Sequence, residues 1–288
     1  MSHEKKTLLF SVLFLICFSF SSRLSAEPGI PDTTFSTDGI VVTDPGSGED
    51  DLIKAAAVDS TGRIVVAGSV NSGTGASPQY DFLVMRYNPD GTLDTTFDTD
   101  GIAVTNVSMV EFGNGFNDFA YAVAIDSSDN IVVAGRANNG ADDDIALVRY
   151  SAADGSLDST FDGNGVVING VMAGYNDWVD SVVIYKGGAY DGYILAGGWL
   201  DNAGDQDFCV TRYQPDGTED TTNFPVITDI NANSEDGIYD LALDSSGDII
   251  AAGYSGSGSS GDLTLAKYLS SDGSPVFSDR YEFDAPQD

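Results

Sequence analysis

Internal repetition is the feature of this sequence that most constrains its fold. The stretch Ile64-Val-Val-Ala-Gly68 returns three more times in recognisable form, and an Asp-Gly turn, an Asp-Thr-Thr-Phe segment and a basic residue followed by Tyr recur in the same order. The basic residue stands at Arg86, Arg149, Arg212 and Lys267, at steps of 63, 63 and 55 residues. A period of this length indicates a chain built from similar stacked units.

Each unit contains four short apolar runs bounded by Gly, Asp, Asn and Ser, a pattern typical of β-strands. In the first unit the predicted strands are 52–58, 63–70, 81–88 and 102–105. Four such strands in each unit predict an all-β fold, a four-bladed β-propeller of four-stranded antiparallel blades. The predicted domain spans 27–288, with units of about 31–93, 94–157, 158–219 and 220–275 and a closing strand at 276–285.

The outer strand of each blade is expected from the start of the next unit, which leaves Gly39 to Thr43 over at the beginning of the chain. That segment could latch the ring by adding to the last blade, or it could pair with another chain. Four blades is the small end of the propeller range, so a dimer or a shortened member of a larger array stays open as an alternative.

The first 26 residues are typical of a secretory signal peptide. Lys5 and Lys6 precede an apolar run from Leu8 to Phe20, and Ala26 precedes a polar break. The run is short for a membrane span, so no membrane insertion is expected after cleavage. We therefore predict a bacterial protein that is secreted, extracellular or on the cell surface, with the periplasm as another destination.

Composition excludes several functional classes. Asp and Glu outnumber Lys and Arg 45 to 12, a formal charge of -33 that disfavours nucleic acid and anionic lipid as partners. Cleavage would remove His3 and Cys17, leaving a single thiol, Cys209. Without His, no Ser-His-Asp or Cys-His catalytic arrangement and no zinc site of the usual ligands can form.

The combined motif resembles the delta-sixty repeat, a propeller-forming repeat of bacterial secreted and surface proteins. The matching residues are the Asp-x-Thr-Phe segment, the Val-Ala-Gly strand, and Asp-Phe-x-x-x-Arg-Tyr-x-x-Asp-Gly. The resemblance covers roughly residues 30 to 285. It implies an NHL-like propeller in an extracellular setting and names no activity.

Two sets of acidic residues recur at fixed positions. The first precedes the end of each inner strand by eight residues and predicts a circle of carboxylates at the channel mouth: Asp51, Asp118, Asp177 and Asp236. Hard oxygen donors favour calcium there. The alternative that we prefer is that these side chains cap backbone N–H groups between blades and point outward. The second set stands five residues before each basic residue and predicts partly buried structural ion pairs or hydrogen bonds: Asp81 with Arg86, Asp144 with Arg149, Asp207 with Arg212, and Asp262 with Lys267.

The favoured function from sequence alone is a non-enzymatic binding or scaffold module that recognises protein or glycan through its rim loops. The candidate ligand-binding side chains are aromatic residues in those loops: Phe112, Phe116, Tyr175, Trp178 and Tyr190. Hydrophobic packing under the loops explains them equally well. The alternative function is a carboxylate-dependent glycan hydrolase or lyase on a propeller scaffold.

Overall fold

The computed structural model describes residues 31–46, 51–73, 78–113, 115–202, 204–230, 232, 234–256 and 261–281. The predicted signal peptide, 1–26, and the end of the predicted closing strand, 282–285, lie outside the described residues. No helix within the described ranges is both long and apolar enough to cross a membrane.

Sixteen strands follow one another in four groups of four. The strands of the first two groups are β1 (Leu52–Val58), β2 (Ile64–Asn71), β3 (Tyr80–Tyr87), β4 (Ile102–Thr105), β5 (Asp118–Ile125), β6 (Ile131–Asn138), β7 (Asp143–Tyr150) and β8 (Val166–Asn169). Those of the last two are β9 (Asp177–Ile184), β10 (Ile194–Asp201), β11 (Gln206–Tyr213), β12 (Val226–Thr228), β13 (Glu235–Leu243), β14 (Ile249–Gly256), β15 (Asp262–Tyr268) and β16 (Pro275–Tyr281). The all-β prediction is confirmed, and the four strands predicted for the first unit agree with β1 to β4 to within one residue at each end.

The strands form three antiparallel sheets rather than four separate ones. β1 to β4 and β5 to β8 each make a four-stranded sheet in chain order. The third sheet has eight strands, because a single parallel pair, Gln206 with Glu235, joins β11 to β13. Two short helices lie outside the sheets, α1 (Val107–Phe112) and a 3-10 turn at Gly188–Tyr190.

Neighbouring units are held together by apolar side chains from facing sheets. Phe82 and Val84 of the first unit pack with Val133 and Val148 of the second, and the same arrangement recurs at the next two junctions. Cys209 is buried as well, at 1% exposed, and burial raises the pKa of its thiol. The inner strands contact one another extensively in the order β1, β5, β9, β13, whereas β13 and β1 do not. Among the described residues, the units therefore form a row with two open ends rather than the closed ring that we predicted.

A buried arginine clamps each unit to the next. The Arg86 Nε pairs with Asp94 Oδ2 at 2.8 Å, its Nη1 donates to the Ala152 carbonyl of the second unit at 2.6 Å, and its guanidinium lies 4.7 Å from the Phe97 ring centroid. Arg149 and Arg212 repeat the same contacts with Asp158 and Asp220. The recurring Asp-Thr-Thr-Phe segment thus supplies both the carboxylate and the aromatic ring that contact the arginine.

The acidic partner of these arginines differs from the predicted one. Asp81 and Arg86 lie on one strand, β3, at an odd spacing of five residues, so their side chains leave opposite faces of the sheet. Asp81 instead contacts the Ser72 hydroxyl, and Asp144 and Asp207 contact Asn139 and Asn202. In the last unit Lys267 pairs with Asp244 and Asp248, at 2.7 and 3.1 Å, within its own unit.

We expect Arg149→Met to lower the free energy of unfolding by about 3 kcal/mol, because it leaves the Asp158 carboxylate without its cation and removes a contact between units. Lys267→Met is the matched control, since its more exposed ion pair joins no second unit, and its loss should be smaller. Urea unfolding of both variants measures the difference. Equal losses of unfolding free energy in the two variants would contradict the role of Arg149 in holding two units together.

Candidate active site at the bulged inner strands

Every inner strand carries a β-bulge at the same position. The pairing with the second strand of the unit skips one residue, four places before the inner strand ends: Lys54, Tyr121, Asp180 and Tyr239. A bulge re-aims one side chain and is over-represented beside active sites. The side chains at the four bulges therefore point in a different direction from the regular alternation of the other side chains in each strand.

The recurring glycine of the Val-Ala-Gly strand makes the bulge possible. A Cβ at Gly68, Gly135, Gly198 or Gly253 would lie 1.8 to 1.9 Å from a carbonyl oxygen of the neighbouring inner strand. Only glycine permits so close an approach of two backbones. The repeated sequence motif therefore encodes the placement of the bulge.

A run of aromatic rings crosses three units beside the bulges. Ring centroids are 5.1 Å apart for Tyr80 and Phe119, 6.5 Å for Phe119 and Tyr121, 6.0 Å for Tyr121 and Trp178, and 4.7 Å for Trp178 and Trp199. In the fourth unit Tyr239 lies 5.1 Å from Tyr254. Apolar ring faces of this kind suit the C–H faces of sugars as well as other flat ligands.

Arg136 lies within this aromatic run. Its guanidinium is 4.6 Å from the Phe119 centroid and 3.9 Å from the Trp178 ring, and its Nε donates to the Tyr121 hydroxyl at 3.1 Å. Asp143 accepts from its Nη1. Three aromatic side chains and one carboxylate therefore fix the orientation of this cation.

Asp180 is the acidic group of the site. Burial raises the pKa of its carboxyl above the ordinary range, while the charges of Arg136 and Lys54 act in the opposite direction. Its charge also contributes to the raised pKa of Tyr254 in the fourth unit. Ionisable groups of the first, second and fourth units thus interact electrostatically with this carboxyl of the third unit.

A cavity of about 620 Å³ adjoins the aromatic run through two shared residues, Phe119 and Arg136. Phe116, Asn138 and Asp143 line it as well. Its size lies within the range of small-molecule and oligosaccharide sites.

The five aromatic residues proposed from the sequence do not form one surface. Trp178 belongs to the aromatic run and Phe116 to the cavity wall. Phe112 lies on α1, Tyr175 lies in a loop, and Tyr190 packs against Tyr185 and Tyr193 at the other end of the third unit. Sequence reasoning missed the bulged residues, because the four positions share no chemistry and only the register of the strand pairs reveals them.

The predicted mouth carboxylates are buried backbone caps. Asp118, Asp177 and Asp236 are each 0% exposed. Asp118 accepts from the Ser108 N–H at 3.0 Å, Asp177 from the Val171 N–H at 2.7 Å, and Asp236 from the Ile230 N–H at 2.7 Å. Burial raises the pKa of both Asp118 and Asp177 to about 6. These carboxylates therefore cap backbone N–H groups, as the preferred alternative held, but the donors lie in the segment that leads into the same strand and the side chains are buried rather than directed outward. Asp51, the first member of the set, is partly buried.

A different acidic group has the geometry to hold a cation. One carboxylate oxygen from each of Asp205, Asp207 and Asp229 lies within 4.8 Å of the others, at the junction of the third and fourth units. Oxygen donors alone favour calcium over transition metals. Calcium binding stays a prediction for this chain.

Comparison with known families follows the internal period of the chain. The family model described as a domain of unknown function (DUF5122), beta-propeller, matches residues 60–97, 127–161 and 191–222. The chain contains β-propeller repeats. The three matches start and end at equivalent places in successive repeats, whereas the finer delta-sixty name stays a prediction.

Three solved structures similar to these propeller repeats are enzymes by name. They are a periplasmic gluconolactonase of Pseudomonas aeruginosa (12% identity, 82% of this chain and 59% of that chain, TM-score 0.47), a glycosyl hydrolase of Bacteroides ovatus (12%, 83% and 72%, 0.42) and an endo-arabinase of Bacteroides thetaiotaomicron (10%, 79% and 75%, 0.39). No curated protein matches the sequence. The predicted non-enzymatic binding module is contradicted by these neighbours, which are enzymes by name.

Proposed function

We propose that this propeller-repeat protein is a carboxylate-dependent glycan hydrolase whose acid is Asp180. The observation that carries the proposal is a carboxyl with a raised pKa, placed by a bulge beside a run of aromatic rings. A general acid must keep its proton near the working pH, and burial is the usual means of achieving this for Asp and Glu.

Glycoside hydrolysis needs a second carboxylate, and we assign this role to Asp240. It follows the bulge of the neighbouring inner strand, is exposed, and accepts from the Ser181 hydroxyl at 2.9 Å. Ser181 is the residue next to Asp180. In this arrangement Asp180 donates a proton to the glycosidic oxygen, while Asp240 acts as the base for water or as the nucleophile.

The other side chains of the site serve binding. Tyr121, Trp178 and Trp199 are partly exposed and give the site apolar surface for sugar binding. The cavity beside Arg136 can hold further sugar units. The formal charge of -33 repels polyanions, which favours uncharged glycans as substrates. Export by the predicted signal peptide would bring the protein to such extracellular polymers.

Release of reducing ends from uncharged polysaccharides, such as an arabinan, a xylan and a β-glucan, tests the proposal. We expect turnover on at least one of them, and we expect Asp180→Asn to lower kcat by about 100-fold or more because the proton donor is lost. Asp100→Asn is the matched control, since Asp100 is an exposed carboxylate that accepts from the Ile102 N–H. Turnover that survives Asp180→Asn, or no turnover on any uncharged glycan, would overturn the assignment.

A further inference from the structure

The two ends of the row of units expose side chains that every internal junction buries. At the end of the fourth unit, Leu263 is 59% and Leu265 is 36% exposed. The residues at the same distance from the unit's Tyr are all buried, at 0 to 1% exposure: Phe82, Ile145 and Phe208 for Leu263, and Val84, Leu147 and Val210 for Leu265. We call the surface formed by Leu263, Leu265 and the half-buried Ile250 and Ala252 the trailing face.

The first unit exposes apolar side chains on its opposite side, the side that its equivalents turn towards the preceding unit. Ile53 is 46% exposed, whereas its equivalents Ala120, Val179 and Ile238 are all 0% exposed. Ile53, Ile64, Val66 and Met85 line an apolar cavity of about 360 Å³. We call the surface formed by these four residues the leading face.

The start of the chain already lies where a preceding unit would place its outer strand. The Tyr87 hydroxyl donates to Thr43 Oγ1 at 2.8 Å, just as the Tyr150 hydroxyl donates to Thr105 Oγ1 of β4 at 2.8 Å. Val42 is 91% exposed in this segment. The leading face thus carries one segment in the position of an outer strand, and none of the described residues supplies the other three strands of such a unit.

The first unit of the same copy does not cover the trailing face in this arrangement. β16 occupies the outer edge of β15, the position that β4 has on β3. Leu263 and Leu265 also stay exposed rather than covered by the first unit. The four units therefore leave both faces open.

We propose that the trailing face of one copy docks on the leading face of a second copy, and that two copies close a ring of eight units. The two faces are complementary, because the chain packs the same pair of surfaces together at its three internal junctions. A ring assembled from several four-unit copies contains a multiple of four units. Two copies give eight units, which is still within the range of known propellers. Two such junctions related by a twofold axis give a closed assembly.

Two features of the chain shape the association. Residues Ile40 to Thr43 of one copy and β16 of the other compete for the edge of β15, so we expect the former to replace β16 at the junction. The formal charge of -33 on each copy opposes association, and salt screens that repulsion. Dimer formation is therefore expected to strengthen as NaCl rises.

Sedimentation velocity of the purified protein in moderate salt tests the proposal, and we expect a species of twice the monomer mass. Leu263→Asp and Ile53→Asp should each sediment as folded monomers, because both side chains are exposed in the single copy. Circular dichroism should show unchanged β-structure, while the melting temperature loses only the part that association contributes. Val110→Asp is the control, an exposed apolar residue on α1 that lies on neither face, and it should stay dimeric.

Mixing the two variants identifies the kind of interface. Leu263→Asp keeps an intact leading face and Ile53→Asp an intact trailing face, so the mixture should recover a dimer joined by one junction. In a dimer made from two like faces, one of the single variants would stay dimeric by itself. That result, or a wild-type monomer at protein concentrations up to about 100 μM and at high salt, would overturn the proposal.

Discussion

Gly198→Ala is expected to lower the free energy of unfolding by about 4 kcal/mol or more, and the melting temperature by roughly 8 to 16 °C. The added Cβ would lie 1.9 Å from the Trp178 carbonyl oxygen and 2.8 Å from the Val179 Cα. Both atoms belong to the backbone of β9, so the strand itself must move. The movement would undo the bulge that presents Asp180.

Gly197→Ala is the control for this variant. Its Cβ would meet the Leu241 side chain, at 2.7 Å from Cδ1, and a flexible side chain can yield more easily than a backbone. Thermal unfolding of the two variants should therefore give a clearly smaller loss for Gly197→Ala. Equal losses would mean that the bulge does not depend on the glycine that the repeat retains.

The protein is expected to be less stable at pH 7.5 than at pH 5. The folded-state pKa values of Asp118 and Asp177 are about 6, above the value of 3.8 for an ordinary Asp. The folded state therefore binds more protons than the unfolded state between those values, and stability falls as the pH rises through about 6. The pKa shift from 3.8 to about 6 amounts to about 3 kcal/mol for each carboxyl over the whole pH range. Less than half of it falls between pH 5 and 7.5, so after allowance for solvent screening we expect a loss of roughly 1 kcal/mol for each carboxyl in this interval.

The double variant Asp118→Asn, Asp177→Asn separates this effect from general charge repulsion. An amide oxygen can still accept from the Ser108 and Val171 N–H groups, but an amide does not ionise. Urea unfolding at a series of pH values should show a flatter profile for the double variant and higher stability at pH 7.5. A profile parallel to that of the wild type would show that ionisation of these two carboxyls does not lower the free energy of unfolding.

The repeats made the strands predictable, because the apolar runs and turn residues are local signals. The strand positions of the first unit could be given to within one residue from these signals alone. The exposure of Leu263 could not be predicted in this way, because it depends on whether a further unit packs against the residue and not on the local sequence. Closure of the ring was wrongly expected for the same reason.

The site was harder to predict than the strands. Alignment of the repeats draws attention to positions where residues agree, such as Asp118 and Asp177, and these proved to cap buried backbone N–H groups. The bulged position carries Lys54, Tyr121, Asp180 and Tyr239, which share no chemistry. Only the register of the strand pairs shows that one position in each unit is displaced from the pleat.

The pH dependence of kcat/KM on an uncharged polysaccharide tests the assignment of Asp180 most directly. A buried acid must be protonated to act, so activity should fall on the alkaline side with an apparent pKa above the ordinary range of Asp, and Asp180→Asn should lack that limb. An alkaline limb that persists unchanged in Asp180→Asn would contradict the assignment.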